Sequence, residues 1–212
     1  MTFSLFYGSI LLDCRRNGGR RGFVTVKMGA QCATNIPKWI KSYVVDVRVF
    51  TYQGTEYPLY LCSPALVPDL SDFIGYFEDA YLVASTKILN LYLSFVLTHE
   101  IREHVILREQ DDACLVALQM ELRDVLIELG SPCFLTYLAY RTGFFRKLVH
   151  YYQTREKTDV QTLLSRLKKS LSFLNELATR LQNGEQVHQA LCLTCHKPIM
   201  LYDEGNCSHC HA

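Results

Sequence analysis

Four cysteines near the C-terminus constrain this chain more than any other feature of its 212 residues. They form two CxxC pairs, Cys192 with Cys195 and Cys207 with Cys210, separated by eleven residues. Two such pairs place four thiolates within reach of one tetrahedral metal ion, and Zn²⁺ suits that ligand set best. So short a segment has too few apolar side chains to bury a core, whereas a structural zinc contributes about 10–16 kcal/mol of apparent folding free energy. The sequence therefore predicts that one zinc ion folds this tail.

The spacing of these cysteines resembles the broad class of C-terminal zinc ribbons and half-RING modules found in multisubunit complexes. The residues that carry the resemblance are Cys192, Cys195, Pro198, Cys207 and Cys210. It covers residues 190–212 only. Four thiolates leave no coordination position for a substrate water, so we expect a structural rather than a catalytic zinc. Replacement of one cysteine ligand by His209 or His211, and redox-active or disulfide pairs in place of a metal site, are the alternatives that the spacing leaves open.

A second cluster, of four arginines, surrounds an Asn-Gly-Gly turn near the N-terminus. Its members are Arg15, Arg16, Arg20 and Arg21. The turn lies between strand-like runs at residues 3–12 and 22–28, which predicts a β-hairpin. Guanidinium groups match phosphate and carboxylate oxygens, so a contact with a nucleic-acid backbone or an acidic protein surface is one interpretation. The other is a solvated turn that meets the acidic middle of the same chain. Lys27, Lys38 and Lys41 would extend the patch if they lie beside it.

The net charge of +1 is unevenly distributed along the chain. Residues 1–63 carry eight basic and three acidic side chains, whereas residues 64–154 carry seven and twelve. The protein is therefore not a nucleic-acid binder that is basic throughout, although its N-terminal 63 residues are basic. Five of the nine cysteines are scattered outside the two pairs, which favours an intracellular, reducing compartment (cytoplasm or nucleus) over a secreted disulfide framework. No stretch is expected to span a membrane.

The first 63 residues carry the patterns of β structure. Residues 43–51 alternate valines with polar side chains, so that Val45, Val47 and Val49 are expected on one face and Asp46 and Arg48 on the other. Gln53-Gly54 predicts a turn and residues 56–62 a returning strand. Because alternation indicates one buried face, we expect a small antiparallel sheet.

After Pro64 and Pro68 the apolar period changes from two to about 3.6, which predicts helices. They are expected over residues 71–108, over residues 112–129 and after Ser131-Pro132, with a stop at Gly130. Several aromatic side chains share one face of the helix after Gly130, and core packing is favoured over an interface for them. These side chains are Tyr137, Tyr140, Phe144 and Tyr151.

The last helix is the clearest of the set. It is expected to start at a capping box, Thr158–Gln161, and to end at Asn183-Gly184. Its apolar stripe suits packing within a bundle, which we favour, or against a second chain. The stripe consists of Leu164, Leu167, Leu171, Leu174, Ala178 and Leu181.

These patterns predict an α+β protein. A small antiparallel β region would be followed by a helical bundle of about four helices and a C-terminal zinc ribbon with four cysteine ligands. The expected domain limits are residues 1–63, 64–189 and 190–212.

No complete catalytic motif is present. The segment His99–His104 has its histidines five apart, so it does not match HExxH. The i,i+4 pairs His99 with Glu103 and Glu100 with His104 are expected instead, on a solvated charged face. Cys133, near a predicted helix N-terminus, is interpreted as a core residue rather than a nucleophile. We therefore assign no catalytic residues and identify no small-molecule substrate.

Two functions are consistent with these features. The first is a zinc-binding, non-enzymatic subunit or adaptor of a larger complex, with the ribbon and the last helix docking to a protein partner. The second is a nucleic-acid-associated factor in transcription, replication or RNA handling, contacting phosphates through Arg15, Arg16, Arg20 and Arg21. An enzyme with an unrecognised site ranks below both.

Overall fold

The computed structural model describes residues 36–77, 81–154 and 160–184. These residues belong to two compact units: a sheet unit, residues 36–77 and 81–110, and a helical unit, residues 111–154 and 160–184. The α+β class predicted from the sequence is confirmed, because a four-stranded sheet is followed by three helices in the described residues. The zinc ribbon and a fourth helix remain predictions.

The sheet unit contains four strands in the order β1-β2-β4-β3. They are β1 (Val44–Tyr52), β2 (Thr55–Cys62), β3 (Ile74–Phe77) and β4 (Tyr81–Ser85). β1 pairs with β2 and β3 with β4 in antiparallel fashion, whereas β2 and β4 run parallel. The sheet is therefore mixed, and the expectation of a wholly antiparallel sheet was wrong.

The hairpin between β1 and β2 forms where the sequence predicts it. Gln53 and Gly54 have φ angles of 49° and 83°. A two-residue hairpin loop of this kind needs both central residues in the left-handed region, which glycine adopts without steric cost. The pair Tyr52 and Thr55 closes the turn.

The predicted alternation of β1 fails at Val45. Val44 pairs with Cys62 and Asp46 with Leu61, so Val45 is an extra residue in a β-bulge. A bulge takes side chains out of strict alternation, and Val45 is 65 % exposed. It is therefore not part of a buried valine face. A bulge depends on the partner strand, and the sequence of β1 alone carries no signal for it.

The region predicted as a helix from residue 71 contains β3 and β4 before the helix begins. All five residues of β4 are buried. A short continuous apolar run of this kind is equally compatible with a buried strand and a buried helix. Pairing of β4 with β2 decides between them, because it satisfies the backbone hydrogen bonds of both strands. Helix α1 (Asn90–Ile101) follows and continues into a wider π-helical turn, Arg102–Ile106.

The helical unit is built on a bent helix, α2 (Ala113–Gln153), which is interrupted at Gly130 (φ 75°, ψ 172°). Glu121 and Arg141 are twenty residues apart, which would separate them by about 30 Å along a straight helix. Their side chains nevertheless lie 2.7 Å apart. The two halves of α2 therefore fold back on each other as a helical hairpin. The break predicted at Gly130 is confirmed.

Helix α3 (Val160–Gln182) packs against α2. Leu164, Leu167 and Leu174 of the predicted stripe are buried, as bundle packing requires. At the surface, the Lys169 ammonium group lies 2.7 Å from the Asp112 carboxylate. The helix ends at the predicted position. Asn183 donates its backbone N–H to the carbonyl of Thr179, and Gly184 has a φ of 92°.

We expect Gly130→Ala to destabilise the full chain by about 1–3 kcal/mol, because a Cβ at this φ and ψ is strained. Gly143→Ala is the matched control. That glycine lies inside the second half of α2 at an ordinary helical φ, and an added Cβ would meet nothing within 4 Å. It should stabilise by about 0.5–1 kcal/mol through helix propensity. Urea denaturation measures the free energy of unfolding of both variants. A change of the same sign in Gly130→Ala and Gly143→Ala would contradict the requirement for a bend at Gly130.

Candidate functional site

The site residues predicted from the sequence lie outside the described residues. This applies to the four metal-ligand candidates and to the four arginines of the hairpin. They are Cys192, Cys195, Cys207, Cys210, Arg15, Arg16, Arg20 and Arg21. The zinc site and the phosphate contact therefore stay predictions.

The predicted i,i+4 pairs of α1 are confirmed. His99 Nε2 lies 3.1 Å from Glu103 Oε2, and His104 Nε2 lies 3.6 Å from Glu100 Oε2. The expectation that these residues form a solvated face was wrong for His99 and Glu100, which are buried. The reason is that α1 carries apolar side chains on most of its circumference, so little of its surface is left for solvent. The His104 ring also stacks on Tyr76, with ring centroids 5.9 Å apart.

Two of the scattered cysteines have little nucleophilic character. Burial raises the pKa of the Cys62 thiol to about 11, which disfavours the reactive thiolate at neutral pH. Cys133 is buried and disulfide-bonded. The interpretation of Cys133 as a core residue agrees with its burial.

A buried polar cluster in the helical unit was not found by sequence reasoning. Arg141 Nε lies 2.7 Å from Glu121 Oε1, and Arg141 Nη2 donates to Glu121 Oε2 at 2.9 Å. The Tyr137 hydroxyl donates to the same carboxylate. All three side chains are almost completely shielded from solvent. The pair therefore combines one charge-assisted hydrogen bond, from Nη2, with a second close approach of opposite charges.

Aromatic rings enclose this cluster. The Arg141 guanidinium carbon lies 5.2 and 5.1 Å from the ring centroids of Phe144 and Phe145, within the range of a cation–π contact. Burial, followed by the Glu121 carboxylate, raises the pKa of the Tyr137 phenol well above its usual range. Tyr137 is therefore a neutral hydrogen-bond donor. Because it joins the two halves of α2 and is shielded from solvent, the cluster acts as a clamp between them.

The sequence holds a partial signal for this clamp. Tyr137 and Arg141 are spaced i,i+4, and both lie among apolar positions of a predicted helix, where a charged residue needs a partner. The partner, Glu121, is close only because Gly130 reverses the chain. No local pattern connects residues 121 and 141, so the pairing could not be predicted.

A small cavity opens beside the bulge of β1 in the sheet unit. It has a volume of about 200 Å³ and lies where β2 and β4 end and α1 begins. Asp46 and Arg48 line it as an ion pair, with Arg48 Nε 2.7 Å from Asp46 Oδ2. The remaining lining residues are Val45, Leu61, Ser85, Thr86, Ile88, Asn90 and Leu93. The opposite charges of the pair offset each other, so the cavity has no clear charge preference.

The sheet unit also presents an exposed indole, which we call the Trp39 platform together with its supports Phe77 and Tyr81. Trp39 is 50 % exposed. Its Nε1 donates to the Tyr81 hydroxyl at 3.2 Å, and its ring lies 5.0 Å from the Phe77 ring. The neighbouring Lys38 and Lys41 are exposed.

The helical unit presents two large apolar side chains near its bend, which we call the hairpin tip. Ile127 and Leu135 are 63 % and 49 % exposed. Ile127 lies six residues closer to Gly130 than Glu121 does, and Leu135 lies six residues closer than Arg141 does. Since Glu121 and Arg141 face each other, Ile127 and Leu135 lie at the same level along the hairpin.

Comparisons with known proteins give no guide to the function of these surfaces. No family model, no curated protein and no solved structure matches the chain. Among the described residues, no helix combines the length and the apolar character needed to cross a membrane.

We expect Glu121→Gln to destabilise the protein by about 3–5 kcal/mol, because it leaves the Arg141 charge buried without its counter-charge. Asp112→Asn is the matched control, since it breaks an exposed ion pair of the same unit and should cost less than about 1 kcal/mol. Glu121→Leu combined with Arg141→Met should recover much of the loss. Urea denaturation measures the free energy of unfolding of each variant. Equal losses in Glu121→Gln and Asp112→Asn would contradict the role of the pair as a clamp.

Proposed function

We propose that this protein is a zinc-binding, non-enzymatic subunit or adaptor of a larger macromolecular complex. The hairpin tip is the observation that carries the protein-docking part of the proposal. Single exposed apolar side chains are common on protein surfaces. Two large ones near the bend of one helical hairpin give a partner apolar surface to bury, and such burial is the dominant favourable term in most protein–protein association.

Burial of the apolar stripe of α3 supports the choice of the hairpin tip over the last helix as the apolar contact. The apolar stripe of α3 packs against α2, and Leu164, Leu167 and Phe173 are buried. The exposed side of α3 is polar and includes Lys168, Lys169 and Glu176. If α3 docks to a partner, it would therefore contribute polar contacts, and the apolar contacts would come from the hairpin tip.

The state of the described polar groups supports a non-enzymatic role. His99 and His104 contact carboxylates of their own helix, and the Glu121–Arg141 pair is shielded from solvent. These contacts engage the side chains in the fold rather than with a ligand.

The proposed compartment is the cytoplasm or the nucleus. A thiolate zinc site requires reduced cysteines, and Cys62 and Cys114 carry thiols rather than disulfides. The disulfide at Cys133 is the observation that favours an oxidising compartment instead.

The second candidate function is a nucleic-acid-associated factor that contacts phosphates through Arg15, Arg16, Arg20 and Arg21. It is favoured by the exposed Trp39 and its neighbouring lysines, which lie in the basic first part of the chain.

We expect the double variant Ile127→Ser with Leu135→Ser to lose its protein partner by roughly tenfold or more, because it removes both apolar side chains of the tip. Affinity purification of the tagged full chain from its native cells, followed by native mass spectrometry, measures the partner bound per chain. Leu89→Ser is the matched control, since Leu89 is exposed in the other unit. Equal recovery with the tip variant and the control, or a wild-type chain that is recovered alone, would contradict the docking proposal.

We expect one zinc ion per freshly purified, reduced chain, and its loss in Cys195→Ser and in Cys207→Ser, because each variant removes one of four ligands. Metal analysis and native mass spectrometry give the stoichiometry. Cys62→Ala, at a buried thiol of the sheet unit, is the control and should keep the metal. His209→Ala and His211→Ala test whether a histidine replaces a cysteine ligand. A wild-type chain without zinc would rule out the metal site and leave the test of the hairpin tip unaffected.

A further inference from the structure

We propose that the Trp39 platform binds an unpaired base of a single-stranded nucleic acid, with Trp39 stacking on the base and Lys38 and Lys41 contacting the adjoining phosphates. The inference goes beyond the adaptor function and does not depend on it. It also gives the second candidate function a contact site that is separate from the arginine hairpin in sequence.

The indole is fixed in position although half of it is exposed. Trp39 is the single tryptophan of the chain. Its N–H is held by the Tyr81 hydroxyl, and Phe77 supports the ring at 5.0 Å, tilted by 51°. Phe77 in turn stacks on Tyr81, with ring centroids 5.1 Å apart and planes 6° from parallel. A side chain ordered before binding loses little conformational entropy when a ligand arrives.

The exposed part of the ring is a π surface rather than a hydrogen-bond donor. The Nε1–H group, which is the polar end of a tryptophan, is already used in the bond to Tyr81. What remains accessible on Trp39 recognises a ligand through stacking and apolar contact. Every nucleic-acid base offers a flat π face, and stacking on aromatic side chains is the main way in which proteins bind unpaired bases.

The charge around Trp39 matches a phosphate backbone. Lys38 and Lys41 are exposed in the same turn as Trp39, and neither forms an ion pair within the described residues. Ammonium groups beside an aromatic ring are the usual combination in single-strand binding sites. The sequence also carries two acidic residues, Glu78 and Asp79, between Phe77 and Tyr81, so we expect few phosphate contacts here. Stacking is therefore expected to dominate over phosphate contacts.

The single tryptophan allows a direct test. A twelve-nucleotide poly-dT strand added to the full chain should quench Trp39 fluorescence in a saturable manner, because a stacked base quenches an indole. The duplex with poly-dA should quench less, since its bases are already stacked. Poly-glutamate is the acidic-protein probe and should not quench. Stronger saturable quenching by poly-glutamate than by poly-dT would overturn the proposal and assign the surface to an acidic protein.

Variants separate stacking from charge. With a fluorescein-labelled poly-dT strand and anisotropy as the readout, Trp39→Ala should weaken binding about 5- to 100-fold, and Trp39→Phe should weaken it less. Lys38→Gln with Lys41→Gln should lower the salt dependence by roughly 1.4 in the slope of log affinity against log salt, as expected for two phosphate contacts. Lys87→Gln is the matched control, an exposed lysine of the same unit, and should leave binding unchanged.

The outcomes distinguish this proposal from the two functions above. The variant Ile127→Ser with Leu135→Ser should bind poly-dT like the wild type, because it alters the other unit. Unchanged affinity of Trp39→Ala would overturn the platform. A further variant would then locate the binding site, with glutamine at Arg15, Arg16, Arg20 and Arg21. If this variant lost poly-dT binding while Trp39→Ala kept it, the binding would be assigned to the four arginines alone.

Discussion

The buried pair of Glu121 and Arg141 is the interaction on which the helical unit depends. Two opposite charges removed from water are stable only when they meet closely and find hydrogen-bond partners, and here Arg141 Nη2 and the Tyr137 hydroxyl both donate to the Glu121 carboxylate. The pair exists because Gly130 adopts a conformation that reverses the helix. The bend and the clamp therefore require each other. Without the bend, Glu121 and Arg141 would lie far apart. If either residue of the clamp were missing, the other would stay buried without its counter-charge.

The two units expose different chemistry. The sheet unit presents a fixed indole between lysines, and the helical unit presents a pair of aliphatic side chains beside its bend. An aliphatic pair suits an apolar depression on a protein, whereas an indole with nearby ammonium groups suits a stacked base. The two proposed contacts do not exclude each other, because they use different residues of different units.

Some features were predictable because their causes are local. Gln53-Gly54 gives the hairpin turn, since both residues tolerate positive φ. Gly130 interrupts α2, and Gly184 follows α3, for the same reason. The i,i+4 pairs of α1 follow from helical spacing alone. The predicted sites, the four cysteines near the C-terminus and the four arginines of the predicted hairpin, rest on spacing and residue type, and they stay predictions.

The sequence by itself determined the turn at Gln53-Gly54, the break at Gly130, the end of α3, the α+β class and the periodicity that buries one side of α3. Only the tertiary structure decided that β4 is a strand beside β2, that Val45 bulges out of β1, that Glu121 meets Arg141, and that Trp39 and Leu135 remain exposed. The physical reason is the range of the interactions. Backbone conformation and capping depend on neighbours within a few residues, whereas strand pairing, burial and the partner of a buried charge depend on residues that are distant along the chain and become neighbours only after it has folded.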